Sequence, residues 1–266
     1  MHAPEANQAA YSVNSSCAHF RQKVVACCMA APPELLVVMP VYNEQASVRK
    51  VVREWFEEIE NWTEEFCFLA INDGSSDGTR RLLARMQEEL GDRLQVIDQE
   101  NMGHGQSCLK GYGFAVERQI PYVFQIDSDG QCDPQFFFRF WRDRARYDVI
   151  YGQRQSRDDG FRRLVASIVL KLVLWAVCGV YCIDANVPYR LMRTSVLLPC
   201  LGRIPSDFVL GNIALAVLLR RSPAIRHGKV PIHFRERYGG EPTVPMGRFG
   251  QKAVELVSQL QRLLRT

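Results

Sequence analysis

Asp127, Asp129 and Asp133 fall within "QIDSDGQCDP", at the end of the apolar run "YVFQI". Carboxylates repel one another and resist burial, so a strand that ends on a cluster of them needs a reason. A hard divalent cation supplies one, because Mg2+ or Mn2+ takes oxygen ligands and bridges carboxylates to diphosphate oxygens. A lone Asp-x-Asp is weak evidence, since the pattern also arises in surface loops. Two further strand ends strengthen it. "ELLVVMPVYNE" (34–44) closes on Pro40, Tyr42, Asn43 and Glu44, and "FCFLAIND" (66–73) closes on Asn72 and Asp73. In an open α/β sheet, ligands bind beyond the carboxyl ends of the strands, where these acids fall. The stretch "NDGSSDGT" also reads as a tight turn, with Asp77 and Thr79 capping the helix that follows.

The elements that must position these residues are legible as periodicities. Short apolar runs predict strands at 34–44, 66–73, 94–99, 122–127 and 147–154. Between them, helical spacing predicts helices at 45–60, 80–90, 103–118 and 136–145. The first is clearest: Val48, Val51, Val52, Trp55, Phe56 and Ile59 share one face. Strands alternating with single helices predict an α/β fold built on a mainly parallel sheet flanked by helices. Gly103, Gly105, Gly111 and Gly113 do not make the dinucleotide-binding pattern and precede the fourth strand, which excludes that reading. His104 among them reads as a loop residue.

After Gly160 the character changes. "LVASIVLKLVLWAVCGVYCI" (164–183) carries a single charge, Lys171, and predicts a buried or membrane-surface helix rather than a span. An ordinary core helix explains it too. Residues 208–221 predict another apolar helix, 228–237 a strand running into a basic loop, and 249–266 an amphipathic helix. Residues 1–33 read as a disordered leader.

The 266 residues are 47% hydrophobic and 23% charged, an ordinary globular balance, with a net charge of +4. Arginine is spread along the chain rather than massed on one stretch, which argues against a nucleic-acid partner. Mild positive charge suits anionic phosphates or an anionic membrane surface. The nine cysteines include no Cys-x-x-Cys pair and no zinc-ligand spacing, so they read as small core residues in a reducing cytosol.

Taken in order, "VVMPVYNEQASV", "INDGSSDGT", "NMGHGQSCLKG", "QIDSDGQCDP", "YGQR" and "DANVPYRLM" resemble the family 2 glycosyltransferases with the GT-A fold. The nearest resemblance is to polyprenyl-phosphate sugar transferases of the dolichol-phosphate mannose synthase type. It spans 35–240, with 35–154 as the nucleotide-sugar half, 155–240 as the acceptor half, and 241–266 as an added amphipathic helix. The resemblance implies that Pro40, Tyr42 and Glu44 contact the nucleoside, with Asp73 at the base. It implies that Asp127 and Asp129 hold the metal, helped by Gln131, with Asp127 also on the nucleotide side. Arg154 would lie near the acceptor or the diphosphate. Asp184 and Arg190 fit a family segment of the form D-x-x-S-G-F-R, from which Asn186, Val187 and Pro188 depart. Arg235 and Arg237 fit the family's basic loop, though the Ser-Lys that usually follows is missing, and Asn72 replaces a common acid.

The activity so implied is transfer of a hexosyl group, with inversion, from a UDP- or GDP-linked sugar. The expected acceptor is a polyprenyl phosphate, met by a peripheral enzyme on the cytosolic face of a membrane. Mg2+ or Mn2+ at Asp127 and Asp129 would neutralise the leaving diphosphate, and Arg154 and Arg237 would add positive charge. A phosphate acceptor is already ionised and needs no base, whereas a saccharide hydroxyl would need one. Asp207 is the first candidate for that base and Asp184 the second, although Asp207 also reads as the N-cap of the 208–221 helix. A non-catalytic nucleotide-sugar-binding protein is the alternative on the same fold, and the intact "DSD" stands against it. A nucleotidyltransferase would carry a Gly-rich basic loop after the first strand, where "PVYNEQAS" stands instead.

Overall fold

A computed structural model of the chain describes residues 32–155, 160–181, 187–208, 210–239 and 249–265, with backbone alone for 160–167 and 249–254. The expected leader and Asp184 lie outside the described residues, apart from 32 and 33 at the leader's end.

The first half follows the predicted alternation. In order come β1 (Leu35–Val41), α1 (Val48–Glu60), β2 (Phe66–Asp73), α2 (Thr79–Leu90) and β3 (Leu94–Gln99). They are followed by α3 (His104–Glu117), β4 (Tyr122–Gln125), α4 (Phe137–Asp143) and β5 (Val149–Arg154). The second half holds α5 (Gly160–Cys178), β6 (Arg190–Arg193), α6 (Thr194–Leu201), α7 (Gly211–Arg221), β7 (His227–Ile232) and α8 (Phe249–Arg265).

The seven strands form one sheet in the order β3-β2-β1-β4-β6-β5-β7. β1 is parallel to β2 on one side and to β4 on the other. The chain therefore winds outward from β1 to β3, then returns to start again at β4 on the opposite side. This reversal opens a crevice at the carboxyl ends of β1 and β4, the general ligand position of such sheets. Every residue of β1, β2 and β4 is buried, as a strand covered on both faces requires.

β6 is the departure from the parallel pattern. It pairs antiparallel with β4 and with β5, and the sequence reading passed over it and over α6. The strand is four residues long and begins and ends with arginine, so no apolar run marks it. Arg190 is nonetheless fully buried, and its Nε and Nη2 donate to the Val187 carbonyl at 3.0 and 2.7 Å.

The core face of α1 is the predicted one, with Val48, Val51, Val52, Trp55, Phe56 and Ile59 all buried. Trp55 is its anchor. Its ring centroid lies 5.4 Å from Phe124 on β4, 6.4 Å from Phe137 on α4 and 5.5 Å from Tyr189. One aromatic cluster thus fixes α1 against the strand that leads to the acidic turn. Over its described side chains (168–178) α5 is one-sided: Leu174 and Cys178 are buried, while Ile168, Val169, Leu172 and Trp175 are exposed. It is neither a fully buried core helix nor a span, since no helix among the described residues is long and apolar enough to cross a membrane. α7 starts at Gly211 with no side-chain cap, so Asp207 does not cap it.

Trp55→Ala removes the shared packing partner of α1, α4 and β4. The expected loss is about 3–5 kcal/mol, typical for truncating a fully buried large aromatic. Urea unfolding followed by far-UV circular dichroism checks it through a lowered midpoint.

Candidate active site

The carboxyl ends of β1, β2 and β4 meet in a cleft of about 220 Å³ lined by Pro40, Val41, Tyr42, Glu44, Asp73, Asn101, Gly103, His104, Asp127, Ser128, Asp129 and Arg237. The turns after β1 and β2 are tied together beside it. Asn43 adopts φ +55°, a region asparagine tolerates, and turns the chain after β1. Its N–H donates to Ser75 Oγ (2.9 Å) and its Oδ1 accepts from the Ser76 N–H (2.8 Å). Glu44 N–H donates to Thr79 Oγ1 (2.9 Å), and Gln45 N–H to Asp77 Oδ2 (3.3 Å). Asp77 also accepts from the Thr79 N–H, so it serves the start of α2, while Thr79 serves Glu44 rather than the helix.

Glu44 and Asp129 are buried at 5% and 9% exposure, and both face Arg237. The Arg237 guanidinium is in direct contact with Glu44, and its Nη1 lies 3.6 Å from Asp129 Oδ2. Ser47 Oγ donates to Glu44 Oε2 at 2.5 Å. Burial pushes the Glu44 carboxyl above the usual range; Ser47 and Arg237 pull it back, and Asp129 and Asp127 push it further up. Asp129 is raised for the same reason: burial first, then the Asp127 charge, against the Gln131 N–H and Arg237. Carboxylates held in this state fit a divalent cation, whose charge would relieve both the burial and the mutual repulsion. Asp127 and Asp129 would supply two oxygens. No three His, Cys, Asp or Glu groups among the described residues close into a ligand cage, so the other ligands would be water and ligand oxygens.

His104 belongs to this site although the sequence reading took it for a loop residue. It opens α3, lines the cleft, and its Nε2 lies 2.9 Å from Asp127 Oδ1. The His104 side chain is 44% exposed; desolvation against the cleft wall opposes charge on the ring, but Cys108 and Asp127 outweigh it and raise His104 above the usual histidine range. The signal available was position: a histidine in the turn directly after β3, at the same end of the sheet as the acids.

The remaining expected residues divide. Pro40, Tyr42, Glu44, Asp73, Asp127, Asp129 and Arg237 are brought together. Asp73 is engaged within the fold: its carboxylate accepts from Gln99 Nε2 (2.7 Å), Met102 N–H (2.9 Å) and Gly103 N–H (2.8 Å), so it also pins the turn before α3. Gln131 holds Asp129 through its backbone, donating N–H to Oδ1 at 3.0 Å. Arg154 sits at the carboxyl end of β5, its guanidinium 4.1 Å from the centre of the Phe234 ring, outside the cleft lining. Asp207 is exposed and pairs with Arg262 on α8 at 3.1 Å, away from the cleft.

Comparison with known proteins accords with this geometry. The family model described as "Glycosyl transferase family 2" matches residues 36–197. The undecaprenyl-phosphate 4-deoxy-4-formamido-L-arabinose transferase of Salmonella choleraesuis (strain SC-B67) is 26% identical over 237 residues, covering 87% of this chain and 69% of that protein. Glucosyl-3-phosphoglycerate synthase from Mycobacterium tuberculosis has been solved with Mn2+, uridine diphosphate and phosphoglyceric acid. That structure matches with a TM-score of 0.61 at 16% identity, over 87% of this chain and 78% of its own. The same enzyme with Mg2+ and uridine diphosphate matches with a TM-score of 0.60 at 16% identity, over 87% and 79%. At that identity the likeness establishes the fold, which is the GT-A arrangement of a mostly parallel sheet flanked by helices.

Because Asp129 sits above its free pKa in the folded state, the native protein holds protons that the unfolded chain has released. Stability therefore falls as pH rises from the free-carboxylate value through the raised one. Asp129→Asn keeps the Gln131 bond and removes the charge. It should raise metal-free stability at neutral pH by about 0.5–2 kcal/mol and flatten that pH dependence. Thermal melts between pH 4 and 8 check both.

The family model covers more than half of the chain, on a sheet that gathers its acids at the switch point between β1 and β4, and the protein belongs to glycosyl transferase family 2.

Proposed function

We propose that the chain transfers a glycosyl group from a UDP- or GDP-linked sugar to a polyprenyl phosphate, with inversion, at a membrane surface. The observation that carries this is Arg237 seated between Glu44 and Asp129, beside Asp127, at the carboxyl ends of the central strands. Such a cluster is costly unless a polyvalent ligand of mixed charge completes it, and a metal-bound nucleoside diphosphate is one.

Pro40, Tyr42 and Asp73 would face the nucleoside, with the diphosphate toward Asp127, Asp129 and Arg237. A divalent cation, Mg2+ or Mn2+, held by Asp127 and Asp129 would supply neutralisation of the leaving diphosphate. The Mycobacterium enzyme's complexes with Mn2+ or Mg2+ and uridine diphosphate support this reading. The bond from the sugar C1 to the diphosphate oxygen breaks, and a new bond forms from C1 to an acceptor oxygen on the opposite face. Arg237 stabilises the charge that develops on the diphosphate, and Arg154, at the carboxyl end of β5 outside the cleft lining, would meet an acceptor phosphate that approaches from that side.

A phosphate acceptor suits the site because it needs no base. Asp207, the first candidate base for a hydroxyl acceptor, is paired with Arg262 and does not line the cleft, while Asp184, the second, lies outside the described residues. The name of the Salmonella relative, an undecaprenyl-phosphate transferase, supports the same acceptor class. That name carries an arabinose derivative, so pentosyl donors belong beside hexosyl donors in any screen. The exposed apolar side of α5 supports work at a membrane surface, from the cytosolic side where nucleotide sugars are found.

Calorimetric titration with UDP and GDP, each with and without Mn2+, tests the donor site. Metal-dependent binding at micromolar concentration to one of them is expected, with loss of about a hundredfold or more in Asp127→Ala/Asp129→Ala. A folded protein that binds neither nucleotide with metal present would sink the assignment.

A further inference from the structure

Residues 234–238 follow β7 and run back across the acidic turn. Phe234 bridges antiparallel to Cys132, Arg235 N–H donates to the Gln131 carbonyl (2.9 Å), and Tyr238 N–H donates to the Asp129 carbonyl (3.0 Å). This pairing lays Arg237 over Glu44 and Asp129. The segment has no regular secondary structure of its own beyond this bridge and these two backbone bonds, and side-chain contacts add to them.

Tyr238 Oη lies 2.9 and 2.8 Å from the two oxygens of Glu54 on α1, and Arg235 Nη2 lies 2.7 Å from Glu54 Oε2. Lys50, one turn earlier on α1, places its ammonium 3.7 Å from the centre of the Tyr238 ring. The ring also rests on Gly130, where a Cβ would come within 2.3 Å of it. Gly130 also has φ +82°, so this turn requires glycine twice over. Glu54 itself does not line the cleft. A helix-surface carboxylate that gathers a tyrosine and an arginine from one irregular segment is placed to anchor it.

We propose that Tyr238 and Glu54 are positioning residues, a latch that seats 234–238 across the acidic turn and thereby presents Arg237 to the donor's diphosphate. This rests on the donor-site reading above. The ligand recognised is a nucleoside diphosphate. Arg237 can turn from Asp129 toward a phosphate oxygen while its backbone stays fixed by its neighbours on either side. Loosening the latch leaves every group that lines the cleft in the protein but frees the backbone that carries Arg237.

The test uses whichever of UDP or GDP the wild type binds with Mn2+. Tyr238→Phe keeps the ring on Gly130 and loses only the hydroxyl; Glu54→Gln removes the charge it meets. Each should weaken nucleotide binding about tenfold, the usual effect of losing a hydrogen bond to a charged group. The double variant should lose less than the product of the two single losses, because both act on the Tyr238–Glu54 contact. In an Arg237→Ala background, Tyr238→Phe should add nothing. Trypsin cleavage after Arg235 and Arg237 in the nucleotide-free protein should be faster in both variants at unchanged melting temperature. Wild-type affinity and wild-type cleavage in both variants overturns the latch, as does a further loss in the Arg237→Ala background. A wild type that binds neither nucleotide overturns the donor-site reading instead, and with it the role assigned to Arg237.

Discussion

Glu44, Asp127 and Asp129 bring like charges into one partly buried cleft, and Arg237 enters to meet two of them. Burial and mutual repulsion both disfavour the charged forms of Glu44 and Asp129, whose carboxyls are raised above the usual range. A site in that condition is unstable by itself and selective for a ligand that removes the instability. The rest of the molecule can be read as the means of holding the cluster together before that ligand arrives.

The sheet does most of the holding. β1 and β4 are adjacent and parallel although 80 residues of chain separate the end of β1 at 41 from the start of β4 at 122, near enough for Glu44 and Asp129 to share a guanidinium. The aromatic cluster about Trp55 clamps α1 onto β4, so the helix that begins just after Glu44 cannot drift from the turn that carries Asp129. Rigidity here would serve the proposed metal and diphosphate site, whose geometry tolerates little error in the carboxylates. On the opposite side, Asp73 spends its hydrogen bonds on the turn before α3, and that turn delivers His104 to Asp127.

Under the proposed transfer to a polyprenyl phosphate, the cleft and the exposed side of α5 would divide the work. Transfer to a polyprenyl phosphate requires a water-soluble donor and a lipid-borne acceptor to meet at one point. The polar cleft suits the first. The row of Ile168, Val169, Leu172 and Trp175 suits an environment that accepts apolar surface, without the length or hydropathy for a span.

The sequence by itself determined the parallel alternation, the core face of α1 and the acid-tipped strand ends, because these depend on local periodicity and on residue type. It also carried the family, since six short motifs in a fixed order are hard to meet by accident. What it left open depends on contacts far apart in the chain. β6 could not be read because its burial, and that of Arg190, comes from strands on either side rather than from its own four residues. His104 looked like a loop residue until the fold set it against Asp127, 23 positions away. Asp207 looked like a base or a cap until α7 began later and Arg262 claimed it. Arg237 was legible as a cation, but its place between Glu44 and Asp129, 193 positions from the former, was decided only by tertiary structure. Charge pairing of that range is set by where the sheet brings the strand ends, and no local pattern encodes it.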